Sequence, residues 1–139
     1  MSENMSSEAI KELIKSRLEE LVTEGMHIDA ALAVTVDGHM VASAQKKDLS
    51  LKRLAAMGST LMSLGDTITR ELEMGSCKNI IAENEGGIVV FMHITKNLVM
   101  VSLTASGSGL GLLLSSSRSC IASIMQDIKD HNTVTKNGA

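Results

Sequence analysis

The chain has 139 residues, 44% apolar and 21% charged, with a net charge of −3; that balance predicts a single soluble globular domain and excludes wholesale disorder. The weak acidity excludes the strongly basic field of a nucleic-acid binder. One Phe, no Tyr and no Trp against ten Met leave no aromatic platform for stacked bases, cation cages or Pro-rich peptides.

Between Ser6 and Glu24, the residues Ile10, Leu13, Ile14, Leu18, Leu21 and Val22 recur at the helical period. Ser6 or Ser7 is placed to cap this first helix, and Gly25 to end it. Ala30 to Val36 and Met40 to Ala44 read as two strands joined by Asp37-Gly38. That dipeptide signals a hairpin whose two-residue turn needs positive φ at both positions. The polar run Gln45-Lys46-Lys47-Asp48 reads as a loop.

Leu49 to Glu73 reads as the second helix, with Asp48 or Ser50 as its cap and Gly75 just past its end. Its apolar arc is too wide for one contact. Leu51, Ala55, Gly58, Met62, Gly65 and Leu72 form a stripe rich in small residues, suited to lie tightly on a sheet. Beside it run Leu54, Met57, Leu61, Leu64 and Ile68, spaced three and four apart like a coiled-coil seam and left over for another surface.

Cys77 to Glu83 reads as a short, half-polar edge strand. Ile88 to Ile94 and Leu98 to Leu103 are apolar on both faces and need cover on both sides. The turns Glu85-Gly86-Gly87 and Thr95-Lys96-Asn97 are short enough to make these neighbours antiparallel. Leu110 to Lys129 reads as the third helix, buried through Leu110, Leu113, Leu114, Ser117, Ile121, Ile124 and Ile128. The fold class is therefore α+β in the order α-β-β-α-β-β-β-α, a five-stranded antiparallel sheet sandwiched between helices. It spans residues 6–129 as one domain, with flexible tails at 1–5 and 130–139.

Chemistry-bearing patterns are few. Ser106-Gly107-Ser108-Gly109-Leu110-Gly111 is neither a dinucleotide fingerprint nor a P-loop and reads as a tight strand-to-helix connection. His27, His39, His93 and His131 have no metal-ligand spacing, and His93 reads as a hydrogen-bonded core residue. Ser43-Ala44-Gln45-Lys46 matches Ser-x-x-Lys without its partner motifs. Cys77 and Cys120 read as free thiols of a reducing compartment. No catalytic residue, cofactor or metal is predicted. Lys46, Lys47, Lys52 and Arg53 cluster at the start of the second helix, either as solvated surface or as a contact to an acidic partner patch. The polar N-terminal segment has no export signal, and no apolar run is long enough to span a membrane, so a cytoplasmic location is expected.

The Asp37-Gly38 hairpin, the helix containing Leu54-Ala55-Ala56-Met57, the strands Ile80-Ile81-Ala82-Glu83 and Gly87-Ile88-Val89-Val90, and Gly109-Leu110-Gly111 before the last helix carry a resemblance. Together, in this order, they resemble the roadblock family, which includes the roadblock type of dynein light chain and MglB-like regulators. The resemblance covers about Ile10 to Ile128. It implies a homodimer, or a heterodimer with a related chain, whose second helices pair antiparallel and whose third strands join two sheets. It further implies binding to a Ras-like small GTPase, or service as a scaffold. Leu54, Met57, Leu61, Leu64 and Ile68, with Lys78, Ile80 and Ala82 on the strand, then fall at the dimer interface. Lys52, Arg53 and Arg70 are candidate partner contacts. A non-catalytic GTPase regulator is the leading reading; a small-molecule sensor of profilin-like or PAS-like type, or a pure scaffold subunit, is the alternative. Nucleic-acid binding and membrane insertion are not expected.

Overall fold

The computed structural model describes residues 2–24, 27–46, 48–105 and 109–137. Eight elements follow in the expected order: α1 (Ser2–Glu24), β1 (Ala30–Thr35), β2 (Met40–Gln45), α2 (Leu51–Glu71), β3 (Asn79–Asn84), β4 (Gly87–Thr95), β5 (Leu98–Thr104) and α3 (Leu110–Asn137). The strands form one sheet in the order β2-β1-β5-β4-β3, every pair antiparallel.

Two-faced strands dictate the layers. Alternate residues of a strand point to opposite faces. In β1, Ala31 and Ala33 face one way, while Ala30, Leu32 and Val34 face the other. In β4, Val90, Met92 and Ile94 join the first set, and Phe91 the second. Both sets are buried, so the sheet needs a helical layer on each side. α1 and α3 share one side, where Ile14, Leu18, Leu113 and Ile124 are almost fully buried. α2 alone covers the other, through Leu51, Ala55 and Met62. Arg17 of α1 donates to both Asp127 oxygens of α3, at 2.6 and 3.0 Å, and so fixes the two helices side by side. Under α3, the hydroxyls of Ser102 and Ser117 meet at 2.7 Å and satisfy each other in the core.

Several boundaries differ from the sequence reading. α1 starts at Ser2, so Ser6 and Ser7 lie within the helix and not at its N-cap position. α3 runs on to Asn137, so residues 2–5 and 130–137, expected as tails, are helical. Polar residues other than Gly and Pro cost little in a helix once an apolar stripe anchors it. Ser50 stands at the N-cap of α2 without a side-chain cap bond. The first hairpin is not a two-residue turn. Thr35 C=O accepts from Gly38 N–H at 2.9 Å, and Gly38 alone takes positive φ, at 93°. Asp37 is spared, because a four-residue turn demands only one left-handed residue. Beyond it, the pairing slips between Ala33 and Val34, as a β-bulge does. Gly25, Lys47 and the segment 106–108, half of the Ser106–Gly111 run before α3, lie outside the described residues.

A candidate interaction surface on the second helix

α2 separates its two stripes. Leu51, Ala55, Gly58, Ser59, Met62 and Gly65 are buried against the sheet. The two glycines set how closely the helix lies. A Cβ on Gly58 would sit 3.0 Å from Val101 Cγ2, and one on Gly65 2.8 Å from Ile80 Cδ1. Both distances are shorter than van der Waals contact, so the absent methyls are what let the helix settle.

The outer stripe divides in two. Leu54 and Leu61 are half-buried and pack onto the cluster beneath the helix. Met57, Leu64 and Ile68 stand 59%, 55% and 50% exposed along one side of the helix. Leu72, expected on the sheet-facing stripe, is 58% exposed instead and extends the apolar strip with Met74. The reason is the end of the helix. Glu73 N–H donates to Arg70 O and Met74 N–H to Thr69 O, a Schellman closure with Glu73 left-handed at φ 54°. The expected terminator, Gly75, comes two residues later, at φ 82°.

A polar staple ties this end of α2 to the sheet. Asp66 Oδ2 lies 2.8 Å from His93 Nε2, and Asp66 Oδ1 accepts from the Cys77 backbone N–H at 3.1 Å. The other ring nitrogen, Nδ1, faces Thr95 O at 3.2 Å. His93 is thus hydrogen-bonded through both nitrogens, and half-buried rather than deep in the core. The Asp66 bond also explains why β3 begins at Asn79 and not at Cys77: the Cys77 amide is committed to a helix side chain. Sequence reading missed Asp66. Its signal is a carboxylate directly after Gly65, on the flank of a helix stripe that packs on the sheet.

β3 is an edge strand, with β4 on one side only. Lys78, expected in the strand, precedes it and is exposed. Ile80 pairs with Phe91 and packs under α2, while Ala82 pairs with Val89 further along the same face. The exposed Lys52 and Arg53 lie in the first turn of α2 and the exposed Arg70 in its last, so one chain does not bring the three together. Arg70 shares with Lys78 and Lys96 an open cleft of 830 Å³.

The two thiols are electrostatically quiet. Burial pushes the Cys120 thiol up to about 11, Glu20 adding to the effect and Arg17 opposing it. Partial burial, and then Asp66, push the Cys77 thiol up as well. Among the described residues no three His, Cys, Asp or Glu side chains are grouped to hold a metal ion. No helix among them is long and apolar enough to cross a membrane.

No protein-family model and no curated protein matches this sequence. Solved structures do. MglB of Myxococcus xanthus superposes with a TM-score of 0.79 at 12% identity, covering 87% of this chain and 91% of that one. A structure described as MglB with tetrameric arrangement gives 0.77 at 16% identity, covering 88% and 93%. A Roadblock/LC7 domain from Streptomyces avermitilis gives 0.75 at 16% identity, covering 83% and 97%. At these identities the likeness is one of fold: the chain has the roadblock fold, as its element order and sheet indicate.

Proposed function

We propose that the chain is a dimeric, non-catalytic regulator or adaptor that binds a Ras-like small GTPase. One observation carries the reading. Met57, Leu64 and Ile68 are half or more exposed in line on α2, while the opposite side of the same helix is buried to completion. An aligned apolar strip of this kind on a small domain marks an interaction surface. A second copy laid antiparallel would bury it, with half-buried Leu54 and Leu61 completing the seam. β3 is an edge strand, packed under α2 through Ile80, and its unpaired side suits joining of the two sheets. The roadblock fold and the tetrameric arrangement described for one MglB structure support self-association.

The dimer supplies no catalytic residue. Arg53 and Arg70 act through affinity, as contacts or solvated surface, and not as inserted fingers. The test uses purified Ras-like GTPases loaded with a non-hydrolysable GTP analogue. At least one should co-elute with the dimer on size exclusion, and the chain alone should hydrolyse no GTP. Binding of no GTPase by an intact dimer would shift the role to scaffold, and a loss of three orders of magnitude in a partner's hydrolysis on Arg53→Ala or Arg70→Ala, at saturating protein, would overturn the non-catalytic role.

A further inference from the structure

We propose that the cleft at the C-terminal end of α2 is one half of a docking groove for a carboxylate-rich segment of a partner protein, and that a second copy of the chain supplies the other half. The inference rests on the antiparallel dimer proposed above.

Three cations converge there from separate parts of the sequence. Arg70 comes from the last turn of α2, Lys78 from the segment before β3 and Lys96 from the β4–β5 turn. All three are exposed. Among the described residues, no ion pair engages any of these three. Two carboxylates line the cleft beside these three cations: Asp66, hydrogen-bonded to His93 and to the Cys77 amide, and Glu73. Glu71 is close in sequence but does not line the cleft. The lining thus carries one more cation than it has acids, in a chain whose net charge is −3.

Dimer geometry adds to it. In the seam from Leu54 to Ile68, Leu61 is the central residue, and Arg70 and Lys52 lie nine positions to either side of it. Antiparallel pairing, if it crosses at Leu61, would set Arg70 of one subunit level with Lys52 and Arg53 of the other. No acidic residue sits in the first turn of α2; the acids nearest to this level are Asp48, just before the helix, and Glu71 and Glu73 at its far end. Each dimer would carry two such grooves, each with five cations from two chains. Exposed charge pairs are individually weak and screened by salt, so a single small anion gains little here. An extended segment with several carboxylates meets several cations at once, and that occupant fits the groove.

A fluorescein-labelled ten-residue peptide of alternating Glu and Asp serves as probe, read by anisotropy at low salt, with sedimentation run in parallel. Wild-type protein should bind it saturably, one peptide per chain, and lose it as salt rises. Arg70→Gln/Lys78→Gln/Lys96→Gln should weaken binding at least tenfold. Lys15→Gln/Arg118→Gln/Lys129→Gln, with the same charge change elsewhere, should stay within twofold. Lys52→Gln/Arg53→Gln should weaken it at least threefold while the protein remains dimeric. Equal weakening by both triple variants, or no saturable binding by the dimer, would overturn the docking groove and leave the dimer standing. An unchanged affinity for the Lys52/Arg53 variant in a verified dimer would remove the second copy from the groove. A monomeric wild type that still binds through Arg70, Lys78 and Lys96 would sink the dimer reading and the shared groove together. Displacement of the peptide by an equal concentration of oligothymidylate would assign the cleft to nucleic acid instead.

Discussion

Glu73 carries a left-handed backbone, φ 54°, in the closure of α2. A side chain with a Cβ pays about 1–2 kcal/mol for that conformation, and glycine does not. Glu73→Gly should therefore stabilise the fold by about 1 kcal/mol, seen as a higher urea midpoint at unchanged slope; a lower midpoint would mean that the Glu73 side chain contributes more than its strain costs. The Arg17–Asp127 pair makes a second prediction at this scale. Its hydrogen bonds to Arg17 hold the Asp127 carboxyl below the usual carboxylate range. The native state then binds that proton less well than the unfolded chain, whose Asp titrates near about 3.9. The pair's contribution is present above that pH and is lost as pH falls through the lower native value. Asp127→Asn should accordingly be less stable than wild type at pH 7, and the gap in urea midpoint should narrow by pH 3. A gap independent of pH would place the effect in packing rather than charge.

At the scale of the element, α2 shows both what helical spacing specifies and what it leaves open. Two stripes were legible because helical spacing alone assigns residues to sides, and small residues on one of them signalled close approach. Leu72 was misplaced because spacing continues past the point where a helix unwinds; its end is set by the Glu73 turn, which no Gly announced. Asp66 and His93 are far apart in sequence and meet only once β4 lies beside α2, so spacing alone does not pair them. The Asp37-Gly38 hairpin was found, but its turn type depends on the flanking bulge, a register property that a dipeptide does not encode. Gly58 gives the test of the sheet-facing stripe. A leucine there must drive its side chain into Val101 and Phe91, so Gly58→Leu should cost about 1–3 kcal/mol. Urea melts showing a gain in stability would mean that the helix rides higher above the sheet than it does here.

At the scale of the whole molecule, layer order followed from counting apolar faces. Central strands with two apolar faces require helices above and below, and the chain provides three. What the sequence could not place was the basic cleft, because Arg70, Lys78 and Lys96 belong to three segments that converge only in the folded chain. The central claim is that the outer strip of α2 joins two copies. Leu61 is a poor probe of it, since it is half-buried and also holds the helix to the sheet. Leu64 is 55% exposed, so a charge there should spare the fold yet become costly when buried unpaired against a partner. Sedimentation equilibrium of wild type and Leu64→Asp, with thermal melts confirming both as folded, tests the claim most directly. A dimeric wild type beside a folded, monomeric Leu64→Asp is the predicted result; a monomeric wild type, or a variant that dimerises as tightly as wild type, would contradict it.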